Sequence, residues 1–586
     1  MRSKAMGFCL CGLIAMAAGR SPAADPPEYR AQWLDAFHTG YLTADDVTTS
    51  VQNLRDGRCN VLIPEILVNK GSQLVYYNAA PDFYPSLGGT IVSNNLRIAC
   101  DLSSEPETNS GGDFDPLAEC IAQAHDTSGG RQRLDVWAWL VSFRAAGPIL
   151  WNHPDWVTVN ANGSAQTDFD PGHPGVEQQL VNTCRDLVTN TAIDGLNFDY
   201  IRFTDGRNGF NDVSVRRFNA LTGATGVPAT TDDAFKQWRR DQVTNVMRKI
   251  YLTCIAIRPG IRITADTITW TPSPPHPGPD DTDPRATWKT NFEYNSGAYT
   301  GVYQDWRGWM QEGIVDIAIP MNYFRSCRND ADFENWQDFT KDNTFARQCI
   351  IGPGTYLNTL ADAISQLKRS RAPSSSMGMT AQGYNLYSYA SPYADTCGGS
   401  IVPDPAGMAN AMANGIPEDA APLNPDVAPI PALPRLTNGK GHLMGTAWDS
   451  GAPSPGWLDG ATVSLAGPVR RTAKTDGTGF YGFVDLPPGD YSMSVSAPGL
   501  ATRMGPVTIS PGAVTTQDVP MAASALGPWR AYALTDVSKA LAISSGLRAA
   551  ASPDMYLNVA SPAGGQVDMA DALTLMRKVS GVEANP

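Results

Sequence analysis

The strongest constraint on the fold is an alternation of short apolar runs and amphipathic segments from about residue 31 to 390. Between the runs, apolar residues recur at helical spacing, as at Val47, Val51 and Leu54. Eight runs are near-continuously apolar, which is typical of parallel strands covered on both faces: 31–37, 60–67, 134–143, 194–203, 261–268, 315–324, 348–357 and 377–386. Eight strands, each followed by a helix, predict a (β/α)8 TIM barrel. A doubly wound open sheet is the alternative, although its frequent GxGxxG turn is missing after the first run.

The chain changes character after the predicted barrel, which we place at 28–395. Residues 396–440 are rich in Pro, Ala, Asn and Gly and lose all periodicity, which predicts a semi-extended linker. In residues 441–522 apolar and polar residues alternate strictly within a strand-like run, as from Tyr491 to Val495. This pattern predicts an all-β sandwich. The sequence therefore indicates a multi-domain protein.

The last segment, 528–586, contains a short repeat in which Asp536 to Leu541 echoes Asp568 to Leu573. Each copy opens a short apolar helix, and two such helices predict a helical hairpin module. We expect its core to contain Val537, Leu541, Leu573, Leu575 and Met576. A calcium loop of the EF-hand type needs an acid at position 12, where the first copy has Lys539, so we expect no tight calcium dependence.

The N-terminus has the pattern of a secretory leader. Arg2 and Lys4 precede an apolar stretch that is too short to span a bilayer, and small residues follow near Ala23. We therefore expect a signal peptide at 1–23 and a secreted, extracellular or cell-surface protein without a transmembrane segment. In such a compartment cysteines form disulfides, and we expect Cys327 to pair with Cys349; buried free thiols are the alternative.

Charge and missing motifs exclude several functions. The 586 residues include 44 Lys and Arg against 58 Asp and Glu, a net charge of −14 without a basic run. Nucleic acid and anionic membranes are therefore unsuitable partners. The sequence has no HExxH, GxSxG or P-loop motif, and its six His residues are not spaced as a metal pair. We expect no metal site and no cofactor.

Candidate catalytic residues follow from the rule that a barrel has its active site at the carboxyl ends of its strands. Asp199 ends the fourth run and is followed by Tyr200 and Arg202. An acid in an apolar strand is costly unless it is paired or used, so Asp199 is either catalytic or an ion-pair partner of Arg202. Asp266 ends the fifth run, and Asp305 is either a further catalytic acid or a helix-start acid that the macrodipole favours.

Other polar and aromatic residues are expected at the same rim and are candidates for substrate binding: Asp35, His38, Glu65, Trp139, Asn322 and Tyr323, together with Tyr200 and Arg202. Several carboxylates among aromatic rings favour sugar chemistry, because aromatic faces stack on pyranose rings and paired carboxyls cleave glycosidic bonds.

Five ordered motifs make the chain similar to a known family: QWLDAFHTG, GDFDPLAECIAQAH, DPGHPGVEQQLV, DGLNFDYIRF and YQDWRGWMQEGIVDIAIPMNY. They resemble the glycosyl hydrolase-like family 10 barrels. The resemblance implies a (β/α)8 fold and hydrolysis of polysaccharide, commonly at the cell surface. It also implies that Asp199 is the family's strand-four aspartate, that Gln304-Asp305-Trp306 is its Q-D-W element, and that Asn322-Tyr323 ends strand six.

Two further resemblances concern the C-terminal part. TDGTGFYGFVDLPPGDYSMSV resembles the carboxypeptidase regulatory-like domains, which are commonly non-catalytic. The repeat in 528–586 is similar to dockerin modules, in a degenerate form, which implies a cell-surface or docking partner.

The sequence thus predicts a glycoside hydrolase that acts on O-glycosyl bonds of a polysaccharide. Asp199 would be the nucleophile or base, and Asp266 first, Asp305 second, would be the acid. The alternative is a non-catalytic carbohydrate-binding or surface-scaffold protein, because the sixth run ends in Asn322 rather than an acid.

Overall fold

A computed structural model describes residues 26–69, 73–75, 114–144, 153–453, 456–523, 534–548, 557 and 566–579. Its N-terminal part is a ring of eight parallel strands: β1 (Tyr29–Leu34), β2 (Val61–Asn69), β3 (Asp135–Val141), β4 (Gly195–Asp199), β5 (Arg262–Thr267), β6 (Ile317–Asn322), β7 (Gln348–Cys349 and Gly352–Pro353) and β8 (Gly383–Leu386). Neighbours in the chain pair with each other, and β1 also pairs with β8. A bridge between Ile351 and Tyr384 joins β7 to β8, so the ring is nearly closed. The predicted parallel eight-stranded barrel is confirmed.

Helices surround the ring, as the apolar spacing predicts: α1 (Ala44–Asp56), α2 (Pro116–His125), α3 (Pro174–Asn190), α4 (Asp212–Thr222), α5 (Asp233–Ile257), α6 (Pro284–Asn295), α7 (Gly297–Gly301), α8 (Trp306–Glu312), α9 (Asp330–Asp342) and α10 (Leu360–Ser370). Helix α1 shows why such a segment is helical. Thr43 caps it by accepting a hydrogen bond from the Asp46 amide, and Val47, Val51 and Leu54 are buried on its inner face. Short strands also occur outside the ring, at Gln73–Val75, Val157–Val159, Ala165–Phe169, Tyr393–Ala394 and Ile401–Val402.

The side chains of each barrel strand alternate between two cores. One core lies between the ring and the helices. The other lies inside the ring and contains Trp33, Trp137 and Trp139. Gly195 on β4 makes room for this inner core, because a Cβ there would be 2.8 Å from Cγ of Trp137. The inside of the barrel is therefore filled by side chains.

Residues 396–440 differ from the predicted semi-extended linker. They include a helix, α11 (Pro405–Asn414), with Met408 and Met412 buried against the barrel. Further along, the Tyr29 hydroxyl and the Gln348 amide donate hydrogen bonds to the carbonyls of Pro431 and Ala432, at 3.1 Å each. Proline-rich composition predicts a lack of regular structure, but it does not show that backbone carbonyls will pair with donors on another domain.

An all-β domain follows, as predicted, with strands β9 (Gly441–Asp449), β10 (Thr462–Ala466), β11 (Arg470–Lys474), β12 (Phe480–Leu486), β13 (Gly489–Ser496), β14 (Arg503–Ile509), β15 (Val514–Thr516) and β16 (Val519–Met521). One sheet has β12, β9 and β15 in order, with β16 also paired to β9, and the other has the order β11-β10-β13-β14. Tyr491, Met493 and Val495 are fully buried in the shared core, as their alternation predicts. The domain contacts α4 and α5 of the barrel, where Arg217 pairs with Asp459 at 2.7 Å.

Two helices are described near the C-terminus, α12 (Leu534–Ser544) and α13 (Met569–Val579). Val537 and Leu575 are buried in one small core, and Leu541 packs at its edge. Leu573 and Met576 are exposed, so this part of the predicted packing is wrong: the buried face of α13 runs through Ala572 and Leu575 instead. The hairpin, the dockerin resemblance and the absence of calcium dependence remain predictions.

The predicted Cys327–Cys349 disulfide is wrong, because Cys327 pairs with Cys397. Cys349 lies on β7 and is fully buried as a free thiol. Cys397 belongs to a loop that lies beside Cys327. The predicted leader, 1–23, lies outside the described residues. In the part of the chain that the structure describes, no helix has both the length and the apolar character needed to cross a membrane.

Candidate active site

A cavity of about 620 Å³ opens at the carboxyl ends of the barrel strands. Asp199 at the end of β4 and Asp266 near the end of β5 both line it. It is also lined by Trp33, Trp139, Tyr200, Arg202, Ile268, Thr269, Trp270, Thr271, Met321, Tyr323, Phe324, Asn329, Tyr356 and Tyr387. The structure therefore brings together six residues that the sequence singled out: Asp199, Asp266, Trp139, Tyr200, Arg202 and Tyr323.

Asp199 is held by its own segment of chain. Its Oδ1 accepts hydrogen bonds from the Tyr200 amide at 2.6 Å and from the Arg202 guanidinium at 3.3 Å. Tyr200 has a φ of 48°, a left-handed backbone conformation that is rare for a tyrosine. This turn places the Arg202 guanidinium 4.2 Å from the centre of the Tyr200 ring. The ion pair that the sequence offered as an alternative thus exists, and it lies in the cavity wall.

Asp266 is surrounded differently. Its Oδ1 accepts a hydrogen bond from Nδ2 of Asn197 at 2.8 Å, while Oδ1 of Asn197 accepts one from the Trp33 indole at 3.0 Å. Burial raises the pKa of Asp266 well above its usual value, and the negative charge of Asp199 raises it further. A raised pKa favours the protonated form of this carboxyl, which is the form that a general acid needs.

The two carboxyls lie on adjacent strands. Phe198 of β4 is the register partner of Ala265 of β5, so Asp199 and Asp266 are the next residues along. One carboxyl is paired with a cation, and burial together with a like charge raises the pKa of the other. Two neighbouring acids in such different surroundings suit general acid–base chemistry, in which one donates a proton and the other attacks or accepts one.

Aromatic side chains form most of the cavity wall. The rings of Tyr323 and Tyr387 are stacked with centroids 5.3 Å apart, and Trp33 lies 5.9 Å from Tyr387. Burial raises the pKa of both tyrosines, so their hydroxyls stay neutral. Sequence reasoning missed Trp33 and Tyr387. Trp33 precedes Asp35 by two residues and therefore shares its face of β1, which is a signal that could have identified it.

Asp35, His38 and Glu65 are close to the site but do not line the cavity. Asp35 accepts a hydrogen bond from the Ser388 hydroxyl at 3.2 Å and contacts Nδ1 of His38 at 2.6 Å. Glu65 accepts a hydrogen bond from the Ala36 amide at 2.8 Å. These contacts brace the loops after β1 and β8, so the structure places the three residues behind Tyr387 rather than in contact with the cavity.

Asp305 and Asn322 are not brought to the cavity. Asp305 caps α8 by accepting a hydrogen bond from the Gly308 amide at 3.0 Å, which is the structural role that the sequence left open. Asn322 is fully buried on the outer face of β6, because its neighbours Met321 and Tyr323 point to the inner face. Instead, Gln304 reaches the strand end, where its amide donates to the Asp266 carbonyl at 3.1 Å.

Among the residues that the structure describes, no group of three or more His, Cys, Asp or Glu side chains could hold a metal ion.

A parallel barrel with paired carboxyls in an aromatic cavity at its carboxyl end defines a fold of the glycoside hydrolase type. A family model described as glycosyl hydrolase-like 10 matches residues 28–366, more than half of the chain, and the chain belongs to this family. A second model, the carboxypeptidase regulatory-like domain, matches residues 449–522.

Curated relatives are distant. Glycosyl hydrolase DigH of Escherichia coli (strain K12) is 22% identical over 303 residues, which cover 46% of this chain and 60% of the relative. Glycosyl hydrolase YngK of Bacillus subtilis (strain 168) is 23% identical over 266 residues, 42% of this chain and 46% of that one. The chain thus spans 60% or less of the length of these two relatives.

Solved structures share only a coarse likeness. The endo-β-1,4-mannanase of Thermotoga petrophila has a TM-score of 0.39 at 12% identity, covering 84% of this chain and 99% of that one. The catalytic domain of a β-amylase from Paenibacillus polymyxa has a TM-score of 0.41 at 10% identity, covering 66% and 98%.

Proposed function

We propose that the protein is a secreted glycoside hydrolase that cleaves O-glycosyl bonds of an extracellular or cell-surface polysaccharide. The observation that supports this most is the pair formed by Asp199 and Asp266. Both line one cavity with aromatic walls, and burial together with the charge of Asp199 raises the pKa of Asp266 well above the usual range. Membership of the glycosyl hydrolase-like 10 family is consistent with this chemistry.

In this proposal Asp266 is the general acid and gives its proton to the oxygen of the leaving sugar. Asp199 acts on the opposite side of the bond, as the nucleophile or as the base that activates water, and water completes the hydrolysis. Arg202 holds Asp199 in place through its hydrogen bond. The partly exposed rings of Tyr356 and Tyr387 offer faces on which pyranose rings can stack.

A reducing-end assay of the full chain on a panel of polysaccharides tests the proposal. Asp199→Asn is expected to remove nearly all turnover of any substrate found and to leave the melting temperature close to that of the parent. Asp305→Asn is the matched control, because Asp305 is a partly buried acid outside the cavity and asparagine also caps helices. Activity of Asp199→Asn within threefold of the parent would reject the assignment.

A second function is favoured by the aromatic wall of the cavity, because the partly exposed rings of Tyr323, Tyr356 and Tyr387 can bind sugar without any chemical step. On this alternative the barrel binds carbohydrate, or serves as a surface scaffold, without cleaving it. A glycan array run beside the reducing-end assay separates the two. Binding to several glycans without release of any reducing end supports the scaffold.

Secretion is part of the proposal. The disulfide between Cys327 and Cys397 supports it, since disulfides persist in oxidising compartments. N-terminal sequencing of the mature chain from the culture medium should find cleavage near Ala23. A surface or docking partner for 528–586 is proposed as well, and comparing the surface retention of the full chain with that of a chain ending at residue 527 tests it.

A further inference from the structure

Trp270 differs from the other tryptophans of the cavity. Its indole is 47% exposed, whereas Trp33 and Trp139 are 1% and 5% exposed. It lies in the loop that follows β5 and lines the cavity on the same side as Asp266. An indole so open to solvent at the mouth of the cavity offers a large apolar surface that remains available to a ligand.

The backbone around Trp270 is fixed on both sides. The Thr269 hydroxyl donates to the Met321 carbonyl at 2.7 Å, and the Thr271 hydroxyl donates to Asp332 on α9 at 2.9 Å. The carbonyl of Trp270 itself accepts a hydrogen bond from the Trp336 indole at 3.1 Å. The backbone that carries the indole is therefore held in place before a ligand binds.

Gly297, the first residue of α7, contacts the edge of the Trp270 indole. A Cβ at Gly297 would lie 2.9 Å from Cε3 of Trp270, 3.7 Å from Cζ3 and 3.9 Å from Cδ2. These three distances place that Cβ beside the ring, in its plane, and not above one of its faces. The contact therefore fixes the position of the indole without covering the surface on which a sugar ring would stack.

We infer that Trp270 is a binding platform for a further sugar unit of a glycan chain that extends out of the cavity. The inference rests on the proposed function and deepens it. The substrate is a polymer of pyranose units, and recognition continues beyond the two units that flank the cleaved bond. Trp270 is a specificity residue, and it takes no part in the chemical step at Asp199 and Asp266.

Calorimetry of the full chain tests this with oligosaccharides of increasing length, from the disaccharide upward, of β-1,4-linked glucose, mannose and N-acetylglucosamine and of α-1,4-linked glucose. The affinity of the parent should rise with length in at least one series. Trp270→Ala should weaken binding of the longest member about tenfold and leave the shortest unchanged, as expected for the loss of one stacked ring. Trp270→Phe should retain part of the increase in affinity with oligosaccharide length.

Two further variants sharpen the test. Gly297→Ala keeps the indole but displaces it, and should reduce the length dependence without removing it. Trp457→Ala is the matched control, because Trp457 is 46% exposed on the β-sandwich, away from the cavity, and its loss should change nothing.

The outcomes separate this inference from the proposed function. Length-dependent binding that Trp270→Ala removes, without turnover of any series, would keep the platform and reject the hydrolase. Turnover in which Trp270→Ala shows the length dependence of the parent would reject the platform and keep the hydrolase. If no series binds the parent, the platform is also rejected.

Discussion

The two ends of the barrel treat their carboxylates in opposite ways. At the amino end of the strands, Asp316 lies 2.8 Å from the Arg435 guanidinium, and both side chains are almost fully buried. Nearby, Asp135 pairs with Arg262 at 3.1 Å. At the carboxyl end, Asp199 pairs with Arg202 at 3.3 Å, and Asp266 accepts a hydrogen bond from the side-chain amide of Asn197.

The two ends differ in how the charge of each acid is compensated. Where each acid has its own arginine, both charges are compensated and the end is closed by the 396–440 segment, which supplies Arg435. Where two acids lie close together with one arginine, burial and the charge of Asp199 raise the pKa of Asp266. An imbalance of charge in a cavity is typical of functional sites.

A pair of acids also occurs away from the cavity, at the contact between the barrel and the β-sandwich. Glu177 on α3 and Asp476 of the β-sandwich face each other across the domain contact, with Lys249 2.9 Å from Glu177. Burial raises the pKa of Glu177 to about 8, and the charge of Asp476 adds to the shift. A raised carboxyl pKa alone is therefore not a sign of catalysis; the open aromatic cavity makes the difference.

The largest expected effect is at the carboxyl end. Asp266→Asn should lower turnover by about 10²–10⁴-fold, the range for loss of a general acid. In the parent, kcat/KM should fall as pH rises through the raised pKa of Asp266, because the acid then loses its proton. The pH profile of the parent and the turnover of the variant check this. A parent profile without an alkaline limb would contradict the assignment of Asp266 as the acid.

The next effect is at the amino end. Arg435→Met should lower the free energy of unfolding by about 3–5 kcal/mol, because Asp316 is left as an uncompensated buried charge. Urea unfolding measures it. Lys289→Met breaks an exposed ion pair with Glu293 and should cost at most about 1 kcal/mol. An equal loss of unfolding free energy in the two variants would show that the buried ion pair at the amino end stabilises the fold no more than a surface ion pair does.

The third effect depends on pH and is at the domain contact. The folded protein holds the proton of Glu177 up to about pH 8, whereas an unfolded chain releases it near its ordinary pKa of 4.5. Its contribution to stability is therefore fully present below pH 4.5 and is lost as pH rises to about 8, by about 1.4 kcal/mol per pH unit at most. Glu177→Gln should lack this loss.

Unfolding of the parent and of Glu177→Gln at pH 5 and pH 9 checks the sign. The free energy of unfolding of the variant should rise relative to that of the parent at the higher pH. A difference between the two proteins that does not change with pH would show that Glu177 is ionised throughout in the folded protein.

Much of the site could be predicted from the sequence because strand position is a local property. Each predicted apolar run overlaps one barrel strand, and Asp199 and Asp266, which the sequence places at the ends of the fourth and fifth strands, line one cavity. The same reasoning failed for Asn322, since placing a residue at a strand end does not fix which face of the strand it occupies. It also failed for Asp305, which caps a helix.

By itself, the sequence determined the order of the strands and helices, the β-sandwich and the two carboxyls, since periods of about two and 3.6 residues record which local faces are apolar. The tertiary structure alone decided which distant residues meet. Trp33 contacts Tyr387, Cys327 bonds to Cys397, and Arg435 pairs with Asp316. These contacts join segments far apart in the chain, and their geometry depends on how the whole ring closes, so no local pattern of residues contains them.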